Sequence, residues 1–233
     1  MALTPDTGET FLREVDENLR RDQLQSMARK YAPLWIAAVV LLLAAVGGWL
    51  YWQNKQKADA ATDSEALSQV YADIGSGKLA TVPQRLDTLV TDGATDAVRA
   101  SALFTRAAVA LEQGDRPLAI TKYNQAANDS GLPAPYRDLG LIRATMLEFD
   151  SLKPDQVIAR MAPLAKPGKP WFGSAGELTA MAMIKQGKRV EAGRLFAAVA
   201  ADHQVPESIR SRAVQIAGTF GVDASASLPA PAQ

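Results

Sequence analysis

The chain has 233 residues, with 25 Lys+Arg against 25 Asp+Glu. This balance argues against nucleic acid as the main ligand, because phosphate binding rests on a basic excess. Aromatic residues make up 6 % and cysteine is absent; the first favours helices over a sandwich or barrel, and the second removes disulfides, thiolate metal sites and cysteine nucleophiles.

Thr10 to Lys30 reads as an amphipathic helix. Phe11, Leu12, Val15 and Leu19 recur at helical spacing, with Leu24 and Met27 continuing less regularly. Arg13, Glu14, Asp16, Glu17, Arg20, Arg21 and Asp22 cover the other faces. Their mixed signs differ from a polybasic lipid-binding segment. Residues 1–32 therefore form an arm that docks on a partner, lies along a membrane, or stays solvated.

Pro33 to Trp52 holds no charge over twenty positions. As a helix it spans roughly 30 Å, the hydrocarbon thickness of a bilayer. Its nine Leu, Ile and Val residues favour insertion by roughly 3–5 kcal/mol together. Tyr31 and Trp35 flank one end, and Trp49, Tyr51 and Trp52 the other, as aromatic rings do at the two headgroup layers. The run exceeds the apolar core of a signal peptide, and the stretch before it is long and acid-containing, so an uncleaved anchor at residues 33–52 is expected. Arg13, Arg20, Arg21, Arg29 and Lys30 precede it, against Lys55 and Lys57 after it. The positive-inside rule places residues 1–32 in the cytoplasm and the larger part outside. Ala37, Ala44 and Gly48 lie near one face and would let a second transmembrane helix approach.

From residue 58 the pattern is helix, turn, helix. The turn and start signals give helices near 58–74, 79–91, 95–113, 116–129, 134–149, 155–165, 174–186, 188–202 and 206–219. Asp92-Gly93, Gly114-Asp115, Ser130-Gly131 and Gly187-Lys188 punctuate them. Residues 53–221 are read as one helical domain, and residues 222–233, rich in Ala, Pro and Ser, as a disordered tail.

Chemistry-bearing motifs are sparse. Gly75-Ser76-Gly77-Lys78 resembles a phosphate loop, but no Ser or Thr follows the lysine and no strand precedes it, so it reads as a helix end and turn. His203 stands alone beside Asp202, too little for a metal site or a catalytic constellation. No catalytic, cofactor-binding or metal-ligating residue is assigned, and a non-enzymatic role is expected.

The domain repeats internally. Aligning Gly114 with Gly187 sets Ala119 on Ala192, Tyr123 on Phe196 and Ala126 on Val199. The alanine lets two helices of a hairpin cross closely, the aromatic fills the gap beside it, and the glycine ends the first helix. Tyr136, Leu139 and Gly140 open an intervening unit whose second helix is degenerate near Leu152. The two glycines are 73 residues apart, close to two 34-residue units plus an insertion at Ala162–Gly173. The chain thus resembles a tetratricopeptide array: an all-α fold with one N-terminal transmembrane helix and an α-solenoid of about three divergent repeats. Residues 58–91 would add a capping helical pair.

Arm, anchor and repeat domain together resemble the YfgM-like ancillary subunits of the SecYEG translocon. The carriers are FLREVDENLRRDQL, WLYWQ at the exit of the anchor, ALEQGD with its following Ala and Tyr, IKQGK with its following Ala and Phe, and PESIRSRAVQIAGTFG. The resemblance implies a bacterial inner-membrane protein with a periplasmic domain. It also implies partners: the SecYEG translocon, a PpiD-like membrane-anchored chaperone and secreted client proteins. An envelope scaffold of a cell-division or other membrane-associated complex is the alternative. Repeat register places a concave binding groove on Ser101, Phe104 and Ala108 of one unit and Arg137, Leu141 and Ala144 of the next.

Overall fold

The computed structural model describes residues 7–227, with side chains from residue 27 onward apart from Ala28. The stripe expected on the arm from Phe11 to Leu24, and the tail beyond Ser227, lie outside the described side chains and residues. Among the described residues the fold is all-α, with nine α-helices and one 3-10 turn.

The first helix, α1, runs from Thr7 to Gly75. Three separate helices were expected there. Residues 53–57 (QNKQK) contain neither Gly nor Pro, Asn54 lies inside the helix, and Pro33 is accommodated within it. From Arg29 to Gly75 the helix is long and apolar enough to cross a membrane, and its most apolar stretch is wholly unburied. That is compatible with a single-pass anchor or a signal sequence. The chain divides into two compact units, residues 1–58 and 59–233.

In the second unit, α2 (Val82–Asp92), α3 (Asp96–Glu112), α4 (Arg116–Asn128), α5 (Ala134–Glu148) and α6 (Pro154–Met161) follow in order. Then come α7 (Phe172–Lys185), α8 (Arg189–Ala201) and α9 (Glu207–Thr219). Capping chemistry sets these limits. The Thr95 side chain accepts from the Val98 N–H at 3.2 Å, and Asp115 from the Leu118 N–H at 3.0 Å. Gly114 and Gly187 both have φ of +78°. At each, the next residue donates back five positions, Asp115 to Ala110 at 2.8 Å and Lys188 to Met183 at 2.9 Å. This is a Schellman closure, which L side chains oppose. Gly75–Lys78 ends α1 in the same way, with Lys78 donating to Asp73 at 2.8 Å.

Each helix packs chiefly on its sequence neighbours, so the core is a chain of small clusters. Leu67 and Val70 of α1 join Val82, Leu86 and Leu89 of α2 and Val98 and Ala102 of α3. Ala107 and Ala110 of α3 meet Ala119 and Tyr123 of α4 and Ala144 of α5. Ile142 packs with Val157 and Met161 of α6 and Leu178 of α7. Phe172, Ala192, Phe196 and Val199 meet Ala213 and Ala217 at the last repeat. Alanine at so many of these contacts brings helix axes close, as the repeat alignment required.

Two regions differ from expectation. The insertion placed at Ala162–Gly173 ends early, because α7 begins at Phe172, whose ring is fully buried. The loop before it is held down where the Gly168 N–H donates to the Asp202 carboxylate at 2.8 Å. Of the expected tail, residues 222–227 are ordered on the last repeat. Val222 packs on the core, Ala224 is buried, and Arg210 donates to the Ser227 carbonyl at 3.1 Å. The apolar Val222 and Ala224 have an apolar surface to cover, which composition alone does not reveal.

Candidate protein-binding groove

A groove of about 250 Å³ opens between α5, α7 and α9. It uses the first helix of two successive repeats and the closing helix. From α5 come Leu139, Ile142, Arg143 and Met146; from α9 come Ile209 and Arg212. Between them, α7 contributes Ser174, Glu177, Leu178 and Met181, with Trp171 at its start. Ile142 and Leu178 are the sealed floor, at 2 % and 4 % exposure. Met146 and Met181 are open to solvent at 48 % and 39 %. Met146 and Met181 thus offer apolar surface that costs free energy while it stays wet.

The walls are braced by charge. Across the mouth, Arg212 grips Glu177 with two parallel hydrogen bonds of 2.8 and 2.7 Å. This planar, two-pronged pairing holds α7 and α9 at a defined spacing. The same carboxylate raises the Arg212 pKa. At the other end Lys185 of α7 pairs with Asp150 at 2.9 Å and lies 4.2 Å from the Phe149 ring centroid, tying α7 to the end of α5. These contacts hold the Asp150 carboxyl below its ordinary pKa, chiefly through the Lys185 hydrogen bond. Burial raises the Tyr123 phenol, while the Arg143 charge pulls in the opposite direction.

None of the six groove residues expected from repeat register lines this groove. Ala144 is fully buried against α3 and α4, so it cannot reach a ligand. Leu141 packs half-buried toward α6, and Arg137 is half-buried in the first turn of α5. Phe104 packs on Tyr123, with ring centroids 5.8 Å apart, and Ser101 is half-buried on α3. Ala108 alone of the six is exposed. The cause is Gly140. A Cβ there would stand 2.8 Å from the Tyr123 carbonyl oxygen and 2.9 Å from the Ala127 nitrogen, so α5 rests its Gly140–Ala144 face on the backbone of α4. That contact turns Leu139, Ile142, Arg143 and Met146 to the groove instead. The signal that could have found them is a 35-residue spacing, which relates Leu139, Ser174 and Ile209, relates Ile142, Glu177 and Arg212, and relates Met146 and Met181. In the apolar stretch of α1, Ala37, Ala44 and Gly48 are exposed.

Among the described residues no group of three or more His, Cys, Asp or Glu could hold a metal ion. At about 250 Å³ the groove is also smaller than the roughly 300–1,000 Å³ of small-molecule pockets. The room suits one or two apolar side chains from another polypeptide.

Comparison with known proteins agrees with the helix order and the stacked packing. The pattern of the tetratricopeptide repeat-like domain matches residues 26–217, whereas no curated protein and no solved structure matches. Repeats of this type are typically non-catalytic and serve protein–protein interaction. With most of its length covered by that pattern and its helices packed in sequence, the chain belongs to the tetratricopeptide repeat-like domain family.

Proposed function

We propose that this chain is a non-enzymatic interaction module tethered to the bacterial inner membrane, with α1 as a permanent single-pass anchor. Residues 1–32 then face the cytoplasm and the repeat domain faces the periplasm. The domain works beside the SecYEG translocon and a PpiD-like membrane-anchored chaperone, holding segments of secreted clients before they fold. The observation that carries this reading is the α5–α7–α9 groove, with its sealed apolar floor, two exposed methionines and braced mouth. Methionine is unbranched and polarisable, so such a surface adapts to varied apolar side chains. The anchor supports the location, because a span flanked by aromatic rings, with basic residues before it, is oriented by the membrane itself. Ala37, Ala44 and Gly48 are candidates for contact with a neighbouring span.

The test is site-specific photo-crosslinking in intact membranes, with the reactive group at Met181. Adducts to translocon subunits, to the chaperone and to secreted precursors are expected. Adducts confined to cell-division proteins would replace the translocon role with that of an envelope scaffold. A reporter fused after Gln233 checks the topology, with periplasmic activity as the expected result.

A further inference from the structure

The groove contains two guanidinium groups and one carboxylate. Glu177 is committed to Arg212 by both of its oxygens. Arg143 has no carboxylate partner among the described residues and stands on the exposed side of α5, beside the open Met146. An unpaired cation at the edge of an apolar cleft sets a preference among ligands that fill the cleft equally well. It favours a segment that carries a negative charge next to its apolar residues and disfavours one that carries a positive charge.

From this arrangement we infer that the groove selects an acidic apolar peptide segment: apolar side chains settle on Leu178, Met146 and Met181, and a neighbouring Asp or Glu carboxylate pairs with Arg143. This inference rests on the groove being the binding site and adds which segments it prefers. The Glu177–Arg212 pair keeps the second guanidinium neutralised, so Arg143 alone sets the sign. Bringing a peptide over Arg143 also removes water from the new pair, which strengthens it relative to a fully solvated contact.

The experiment uses the full chain in lipid nanodiscs and three dye-labelled peptides identical except for one central residue, Glu, Gln or Lys, flanked by leucines. Fluorescence anisotropy, corrected with empty nanodiscs, gives the affinities. The Glu peptide is expected to bind about three- to fivefold more tightly than the Gln peptide, the range for a partly exposed ion pair. The Lys peptide should bind more weakly than both, and the differences should shrink as salt is raised. Arg143→Gln should bring the Glu and Gln peptides together, and Arg143→Glu should reverse the order of Glu and Lys. Met181→Asp should weaken all three.

If Met181→Asp weakens binding but Arg143→Gln leaves the Glu preference intact, the charge selection is wrong and the groove assignment survives. If Met181→Asp has no effect on binding, both fall. A groove occupied by a second copy of the chain also overturns the inference; its signature is a dimer in sedimentation that Met146→Asp dissociates, with no peptide bound.

Discussion

Replacing Gly140 with alanine tests the contact that aims the groove. The added Cβ would lie 2.8 Å from the Tyr123 oxygen and 2.9 Å from the Ala127 nitrogen, with the Ala126 Cβ at 3.1 Å. Two of these atoms are backbone of α4 and cannot rotate away, so α5 must move. Overpacking of this kind costs about 2–3 kcal/mol, the upper part of the usual range. Alanine in a helix regains about 1 kcal/mol over glycine, which leaves a net loss of about 1–2 kcal/mol. For a chain of this size the loss corresponds to a melting temperature lower by about 2–8 °C. The measurement is thermal unfolding of the full chain in detergent, followed by circular dichroism. Gly218→Ala on α9 is the control, because a Cβ there meets nothing within 4 Å; it should be neutral or stabilise by a few tenths of a kcal/mol. Gly140→Ala should also weaken peptide binding at the groove, because Leu139, Ile142, Arg143 and Met146 move with α5. If Gly140→Ala melts at or above the wild type while Gly218→Ala behaves as expected, then α5 does not rest on α4 as described and the account of the groove's orientation fails.

Phe196→Ala removes a ring that is 1 % exposed in the last repeat and should cost about 3–5 kcal/mol, read as an earlier midpoint in urea. Glu177→Gln breaks the two-pronged pair to Arg212; since the arginine side chain is 55 % exposed, the stability loss should stay within about 1 kcal/mol, seen by the same unfolding assay. Asp202 is held below its ordinary pKa by the Gly168 N–H and then the Gln204 N–H. Its folded value lies below the unfolded one, so its contribution is present above the unfolded pKa of about 3.9 and lost as pH falls through the folded value. The melting-temperature gap between wild type and Asp202→Asn should therefore be open at about pH 5 and narrow below about pH 4; a gap unchanged by acid would show that the Asp202 charge does not hold the loop.

Helix order was legible because the signals that start and stop helices are local. Thr95 and Asp115 cap through their own side chains, and Gly114 and Gly187 close helices through their own φ, so residue identity at one position carries the information. The Ala119–Ala192 and Tyr123–Phe196 alignment fell on buried positions for the same reason, since size at a helix crossing is a property of the residue. Which face a helix presents depends on distant partners, which counting along one helix does not include. Arg137, Leu141 and Ala144 were placed on the groove by counting along α5, yet the rotation of α5 is decided by the closeness of Gly140 to α4. The short span of α6, eight residues, reinforces this, because it covers little of α5 and leaves α4 as its main support. Composition alone does not show that the surface of the last repeat supplies a seat for Val222 and Ala224.

The division of residue sizes explains how one stack yields both a stable body and an open groove. Alanines at 100, 107, 110, 119, 126 and 144 fill the crossings of α3, α4 and α5. Small residues there draw the axes together, and Leu103 and Tyr123 fill the gaps beside them. Toward α7 and α9 the facing residues are larger: Leu139, Trp171, Met181 and Ile209. Bulk at these positions holds the helices apart on one side while Phe172, Phe196 and Val199 close the other. The groove lies where these larger residues face one another, and the Glu177–Arg212 and Lys185–Asp150 pairs link its walls. Because the methionines at its mouth have several rotamers of similar energy, the surface can fit different apolar segments without moving the braced helices. Shape then discriminates little among apolar ligands, and the choice between them passes to Arg143, which has no carboxylate partner among the described residues.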